Sequence, residues 1–202
     1  MAVPAMDTSV VADEDALRAE TYILLAMLLS APPKRDVLDL VGDLPGDESP
    51  VGTVIRALSA AARAATPAVL EREYHDLFIG TATGELIPYA SYYLTGSLYT
   101  KPLASLRVDM ARLGIARSDK ASEPEDHIAA ECEMMAGLIL GSFSDVPAPL
   151  DEQRRFFESH LAPWAARFFA DLEAAQAATF YMPVGRLGGE LMEIETQAFE
   201  MA

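Results

Sequence analysis

The sequence predicts an all-α protein, a single helical domain of about nine helices. Three observations lead to this prediction: alanine, the strongest helix former, is abundant, β-branched stretches are few, and neither a strand pair nor an internal repeat occurs. The chain has 202 residues, of which 51% are hydrophobic and 23% charged, so it is long enough to bury a sizeable core.

Start and stop signals predict four helices in the first part of the chain. The first begins with acidic residues and ends before Pro32-Pro33. Ser49-Pro50 and Thr66-Pro67 each place an N-cap residue before a proline at the first helical position. The four helices are expected at about 13–30, 35–41, 51–65 and 67–79.

The stretch from Gly80 to Gly96 interrupts this series. It contains three glycines, Pro88 and three tyrosines and has no helical period, so we expect an ordered loop. A further helix is expected from Pro102 to Leu113, because Gly114 is suited to close it.

The last part of the chain predicts three more helices or helix pairs. Ser122 and Glu125 form an S-x-x-E capping box ahead of a run that continues to Gly141. The apolar stripe of that run is formed by Ile128, Cys132, Met135 and Ile139. A helix is expected over about 150–160, and helical spacing continues to Leu172 with a kink or a helix-to-helix step at Pro163. A last helix covers about 183–199.

The predicted organisation is two helical halves joined by a hinge. The N-terminal half covers residues 13–114, the hinge 115–122 and the C-terminal half 123–202, and all three belong to one domain.

Charge excludes several classes of partner. The chain has 31 acidic and 15 basic residues and a net charge of −16, which disfavours nucleic acids and anionic membrane surfaces. The acidity therefore indicates either a cationic partner or a purely solubilising surface. The longest apolar run, Tyr22–Leu29, is too short to span a bilayer, and the first seventeen residues do not resemble a secretory signal. We expect a soluble, cytoplasmic protein.

Signals of catalysis, metal binding and cofactor binding are weak. Cys132 is the single cysteine, which excludes an intrachain disulfide and an all-cysteine metal site. None of the three histidines follows a glutamate by three positions, the spacing of di-metal helix bundles. Nucleophile elbows and Walker-type phosphate loops do not occur. We therefore predict a non-enzyme without metal or cofactor.

Two clusters stand out from this background. The first runs from Tyr74 to Gly80 and resumes from Pro88 to Tyr93, and its aromatic side chains either line a groove for an apolar peptide or pack in the core. The second, Glu123–His127, places three carboxylates and a histidine at a helix start. Acidic residues there either meet a cationic ligand or only relieve the unpaired N–H groups of the first turn.

Together the clusters resemble the TorD/DmsD family of maturation chaperones for molybdenum-cofactor enzymes. The motifs read YHDLFIG at 74–80, PYAS at 88–91 and EPEDHIAAECEMM at 123–135, of which the Glu-Pro-x-Asp-His box is the most specific. HLAPW at 160–164 also resembles the family, and the resemblance covers roughly 13–199. Cys132 stands where an aliphatic residue is commoner. The first two motifs favour a place outside the family's nitrate-reductase branch.

The resemblance implies a TorD-like fold and a cytoplasmic chaperone. Such a protein binds the twin-arginine signal peptide of an apo-molybdoenzyme and delays export until the cofactor is inserted and the partner is folded. The residues that the resemblance assigns to peptide binding are Tyr74, Phe78, Gly80, Pro88, Tyr89, Ser91, Tyr92, Glu123, Glu125, Asp126 and His127.

Chemical roles for these residues follow as hypotheses. The carboxylates of Glu123, Glu125 and Asp126 are suited to bind the two guanidinium groups. Four aromatic residues are expected to bury part of the apolar segment of the signal: Tyr74, Phe78, Tyr89 and Tyr92. His127 is expected to orient Asp126 or contact the peptide, and its charge near neutral pH to tune release. Asp126→Ala or His127→Ala is then predicted to weaken peptide binding while the fold survives.

Two alternatives from other classes stay open. One is weak GTP binding or hydrolysis, which is associated with the family but has no phosphate-binding loop here. The other is a helical dimerisation scaffold without a peptide ligand. Family members also exchange C-terminal helices through the hinge, so the resemblance allows either a monomer or a domain-swapped homodimer. The motifs do not specify which molybdoenzyme is the client.

Overall fold

Ten α-helices form the protein in a computed structural model that describes residues 13–117, 123–144 and 146–201. The helices are α1 (Asp13–Ser30), α2 (Arg35–Gly42), α3 (Pro50–Ala64), α4 (Pro67–Tyr74), α5 (Ala90–Thr95), α6 (Lys101–Leu113), α7 (Ile128–Leu140), α8 (Leu150–Phe156), α9 (Ala165–Ala174) and α10 (Tyr181–Met201). A π-helical turn extends α4 over His75–Ile79, and another extends α8 over Phe157–Leu161. The described residues contain no strand, so the predicted all-α class is confirmed.

Helix ends fall where local sequence signals predicted them. α3 begins at Pro50, and the Ser49 hydroxyl accepts a hydrogen bond of 3.0 Å from the Gly52 N–H. α6 ends at Gly114, which has a φ of 73°, and α7 ends before Gly141, which has a φ of 76°. Both glycines adopt the left-handed conformation that terminates helices, at a position where a β-carbon would be strained.

Two predictions about the middle of the chain are wrong. The expected loop from Gly80 to Gly96 contains the short helix α5. α7 begins at Ile128 with His127 as its N-cap, so the proposed capping box at Ser122 and Glu125 does not start this helix. Ser122 itself lies outside the described residues, as do residues 118–121 of the predicted hinge. The division into two halves and a hinge stays a prediction.

One hydrophobic core joins the beginning, middle and end of the chain. α1 packs against α7, and α10 packs against both α9 and α3. The largest fully buried side chains include Trp164, Tyr22 and Tyr181. The predicted stripe of α7 is buried with at most 1% exposure of any member, namely Ile128, Cys132, Met135 and Ile139. α7 is therefore central to the packing.

Buried polar contacts fix the last helix to the first half of the chain. Glu195 of α10 is fully buried and binds the Arg18 guanidinium in two places, with Nε–Oε1 at 2.6 Å and NH2–Oε2 at 2.8 Å. The Tyr22 hydroxyl donates a third hydrogen bond to Glu195. This bidentate geometry compensates the cost of burying the carboxylate.

The start of α10 is held in a similar way. Oε1 of Glu73, on α4, accepts hydrogen bonds from the N–H groups of Thr179 at 2.7 Å and Tyr181 at 2.9 Å. These contacts satisfy N–H groups at the start of α10 that have no partner within the helix. None of the described helices combines the length and apolarity that crossing a membrane requires.

Candidate functional site

The second and third motifs meet as two antiparallel backbone segments. The Ala90 N–H donates to the Asp126 carbonyl at 2.9 Å, and the Ile128 N–H donates to the Pro88 carbonyl at 3.0 Å. Tyr89 and His127 form an isolated β-bridge between these two bonds. Residues far apart in the sequence are thereby brought together at the starts of α5 and α7.

Asp126 is a buried residue that positions α5. Asp126 is only 1% exposed, and its Oδ2 accepts a hydrogen bond of 2.9 Å from the Ser91 N–H. Ser91 is itself fully buried, and its hydroxyl accepts a bond from the Thr100 N–H. Asp126 and Ser91 therefore hold backbone in place and offer little surface to a ligand.

His127 is the N-cap of α7. Its Nδ1 accepts a hydrogen bond of 3.1 Å from the Ala129 N–H, and its ring packs edge-to-face against Tyr89 with centroids 5.0 Å apart. Burial lowers the pKa of His127 to about 4, although Glu123 and Asp126 nearby raise it. The imidazole is therefore neutral at physiological pH. The expectation that its charge changes near neutral pH is wrong, because desolvation outweighs the nearby carboxylates.

Glu125 is paired within the protein. Its carboxylate binds the Arg107 guanidinium of α6, with the NH2–Oε2 distance at 2.7 Å and Nε at 3.1 Å from the same oxygen. Burial alone would raise the pKa of Glu125, but the hydrogen bonds from Arg107 hold it below its usual value. Glu125 therefore links α6 to the start of α7.

Glu123 is the exposed carboxylate of the segment Glu123–His127. Its Oε2 accepts a hydrogen bond from the Tyr89 hydroxyl, and the Arg117 guanidinium donates to its backbone carbonyl at 3.3 Å. Tyr89 is half-buried and lies between Glu123 and His127. Of the three carboxylates predicted to bind arginine, Glu123 is the most accessible to a partner.

The first motif lies largely in the core. Tyr74 is 9% exposed, and its hydroxyl donates to the Leu29 carbonyl at 3.2 Å. Half-buried Phe78 packs edge-to-face against Tyr74 and Tyr181, with centroids 4.9 and 5.5 Å away. Gly80 ends the π-helical turn at a φ of 63°, and a β-carbon there would lie 2.1 Å from the Thr83 carbonyl oxygen. This motif therefore builds the fold around α4.

An exposed apolar patch follows the second motif. Tyr92, Leu94, Leu98 and Tyr99 are 39%, 44%, 40% and 71% exposed, and we name them the 92–99 patch. Tyr99 has a left-handed φ of 59°, which is uncommon for a bulky residue. Tyr92 was predicted from the motif, whereas the other three members were missed because they follow it without a recognisable spacing.

A groove lined by residues of α7 and by Glu123 has a volume of about 330 Å³. We name it the α7 groove. Its apolar lining comes from four parts of the chain and consists of Ile23, Met110, Ile115, Ala116, Ala130, Met134, Ala136, Gly137, Leu140 and Phe143. Its charged lining consists of Glu123, Glu125, Glu133 and Arg117. Sequence reasoning missed most of this surface, because it assigned α7 one buried stripe.

Glu131 closes the third motif and is fully buried. Its Oε2 accepts a hydrogen bond of 3.0 Å from the Trp164 indole N–H. Burial raises the pKa of Glu131 well above its usual value, although the Trp164 bond acts in the opposite direction. Within the described residues, no three His, Cys, Asp or Glu side chains group as metal ligands.

Comparison with known proteins agrees with the motifs. A family model described as "Nitrate reductase delta subunit" matches residues 44–170, more than half of the chain. The chaperone protein TorD of Aliivibrio fischeri is 30% identical over 171 residues, which cover 75% of this chain and 80% of the relative. TorD of Photobacterium profundum is 29% identical over 188 residues, covering 81% and 85%.

A solved structure confirms the fold. The crystal structure of a protein from Archaeoglobus fulgidus, described as a redox enzyme maturation protein, matches with a TM-score of 0.59 and 21% identity. The match covers 88% of this chain and 94% of the other. The fold is thus that of a redox enzyme maturation protein. The family model and the TorD relatives show that the chain belongs to the TorD/DmsD family of molybdoenzyme maturation chaperones. The expected place outside the family's nitrate-reductase branch stays a prediction.

Proposed function

We propose that this protein binds the twin-arginine signal peptide of a molybdoenzyme and delays export of that enzyme until it has received its cofactor and folded. Membership of the chaperone family supports the proposal. The observation that carries it is the accessible carboxylate of Glu123, which stands where an apolar groove and an aromatic side chain meet. Such a surface combines the two chemistries of the signal, which is basic and then apolar.

The electrostatic part of recognition centres on Glu123. A guanidinium group binds a carboxylate through short, charge-assisted hydrogen bonds that are often bidentate. Glu133 adds a second exposed acidic side chain to the same groove, which Arg117 also lines, and Glu125 binds Arg107. His127 adds no opposing positive charge at neutral pH, since burial lowers its pKa to about 4. Asp126 and His127 hold the starts of α5 and α7 and are not part of the charged contact surface.

The same charges bear on the nucleotide alternative. A polyphosphate placed in the α7 groove would lie beside Glu123 and Glu133, and like charges repel in a partly desolvated site. The TorD relatives are named chaperones. The acidic groove favours a cationic peptide over a nucleotide as the ligand.

Isothermal titration calorimetry with a synthetic signal peptide tests the proposal. We expect the wild-type chain to bind the peptide and to bind a version with both arginines changed to glutamine at least tenfold more weakly. Glu123→Gln should weaken binding of the arginine peptide about tenfold, in line with about 1.5 kcal/mol for a charged hydrogen bond. Glu158→Gln, an exposed change outside the groove lining, is the matched control and should leave the affinity unchanged.

Two outcomes contradict the proposal. If the wild-type chain does not bind the peptide, the scaffold alternative is favoured. If both peptides bind equally, recognition does not depend on the arginines.

A further inference from the structure

We infer that the apolar segment of the signal peptide lies in the α7 groove and not on the 92–99 patch. The inference rests on the proposed function, because it names the part of the surface that each half of the peptide occupies. It differs from the sequence-based hypothesis, which assigned this role to the side chains of Tyr74, Phe78, Tyr89 and Tyr92.

The shape of the groove supports this assignment. Its volume of about 330 Å³ lies within the range of small-molecule pockets, about 300–1,000 Å³. α7 forms the floor, Ile23 of α1 and Met110 of α6 form walls, and Phe143 lies beyond the end of the helix. α7 has 13 residues and is therefore about 20 Å long, so a peptide that lies along it can place apolar side chains in the groove.

The lining of the groove suits an apolar ligand of variable sequence. Two methionines, Met110 and Met134, contribute to it, and flexible methionine side chains adapt to different partners. At its edges Ile23 and Leu140 are 45% and 40% exposed, so apolar surface is in contact with water when the groove is empty. Covering this surface would stabilise a complex, since each Å² of buried apolar area contributes about 25 cal/mol before ordering costs.

The polarity of the groove matches the order of residues in the signal. Glu123 and Glu125 lie before the first residue of α7, whereas Leu140 and Phe143 lie at and beyond its end. Two arginines face the acidic end: Arg107 binds Glu125, and Arg117 donates to the Glu123 backbone. The carboxylates of Glu123, Glu125 and Glu133 outnumber these two arginines of the chain, so a peptide with basic residues before its apolar run fits with those residues at the start of α7 and the apolar run along it.

The 92–99 patch suits this ligand less well. Leu94 also lines a cavity of about 240 Å³ that contains Lys101, a cationic side chain. The carboxylate in that cavity belongs to Glu131, whose pKa is raised by burial, so the cavity offers no ready counter-charge for an arginine. Tyr74, which the sequence placed in the peptide site, packs against Phe78 and Tyr181, and its hydroxyl donates to the Leu29 carbonyl.

Matched aspartate substitutions test the inference by calorimetry with the full signal peptide. Leu140→Asp is compared with Leu98→Asp, both at residues 40% exposed, and Ile23→Asp (45% exposed) with Leu94→Asp (44% exposed). We expect the two groove variants to lose at least tenfold in affinity and the two patch variants to stay within twofold of the wild type. The reverse pattern, or no loss in the groove variants, would overturn the inference.

A cross-linking experiment with the unaltered protein keeps the inference testable if a variant fails to fold. A signal peptide carrying benzoylphenylalanine in its apolar segment is irradiated in the complex, and the modified residues are identified by mass spectrometry. Adducts at Met110, Met134 or Phe143 support the groove, and adducts confined to residues 92–99 overturn it. A wild-type chain that does not bind the peptide would contradict the proposed function itself, so the two failures are distinct.

Discussion

The two ends of the segment Glu123–His127 differ in burial and in the groups they contact. Asp126 and His127 point into the protein, where they accept hydrogen bonds from the Ser91 and Ala129 N–H groups. Glu123 lies at the surface, beside Tyr89 and the α7 groove. The comparison teaches that the most recognisable residues of the motif, Asp126 and His127, hold the backbone of the site, whereas the proposed ligand contact involves its first residue and side chains outside it. Each prediction below tests this division.

The largest expected effect concerns the pH dependence of stability. His127 has a folded pKa of about 4, so between pH 6.5 and 4 the unfolded chain takes up a proton that the folded chain does not. The free energy of unfolding should therefore decrease as the pH is lowered from 6.5 to 4, by up to about 3 kcal/mol from this group. His127→Asn, which retains an N-cap acceptor, should show a correspondingly weaker dependence in urea unfolding at pH 7 and pH 4.5. Identical pH dependences would show that His127 is not buried and neutral.

The next effect is a loss of stability when Asp126 is changed. Asp126→Ala removes the acceptor of the buried Ser91 N–H, and we expect the free energy of unfolding to drop by about 2 kcal/mol. Chemical denaturation measures this, and calorimetry on the folded protein should give a peptide affinity within twofold of the wild type. A variant of unchanged stability that has lost the peptide would instead support direct contact by Asp126, as the sequence suggested.

A smaller effect is expected for the link between α6 and α7. Arg107→Ala leaves Glu125 without its partner, but the arginine is about half exposed, so we expect a loss of about 1 kcal/mol at pH 7. The pKa of Glu125 is lowered in the folded state, so this stabilisation is present above the unfolded pKa and is lost as pH falls through the folded one. A double-mutant cycle with Glu125→Gln, at pH 7 and pH 3.5, isolates the pair. A coupling energy equal at both pH values would contradict the assignment.

The smallest effect on stability should come from Glu123. Glu123→Gln changes an exposed side chain, and we expect the free energy of unfolding to change by less than about 0.5 kcal/mol. Thermal unfolding followed by circular dichroism measures this on the same sample used for peptide titration. A large loss of stability would show that Glu123 holds the fold as Asp126 and His127 do, and would contradict the proposed difference between the two ends of the segment.

Local signals explain what the sequence could predict of the fold. The N-cap of α3 and the glycines after α6 and α7 act within a few residues, so these helix ends can be predicted from the adjacent residues in the sequence. α5 and the start of α7 could not be located this way. Both depend on the pairing of residues 88–90 with 126–128, which appears only when the chain is folded.

The candidate site was predictable in part for a related reason. The motifs placed Glu123 and Tyr89 in one predicted site, and the structure joins the two side chains by a hydrogen bond. Spacing alone could not separate Met134, which is 6% exposed and lines the groove, from Met135, which is fully buried. α7 is apolar on nearly all sides, so its period carries no information about which face is covered. Phe143 and Ile23 reach the groove through tertiary packing, which no local pattern contains.

The contact between Arg18 and Glu195 has a consequence for synthesis. The two residues are separated by 177 positions, so the first helix meets its ion-pair partner only when almost the whole chain has left the ribosome. α7, against which α1 packs, is synthesised before α10, so α1 and α7 can meet before Glu195 emerges. Completion of the fold therefore follows translation, and a product that ends before α10 would expose the surfaces of α9, α3 and α1 that α10 covers.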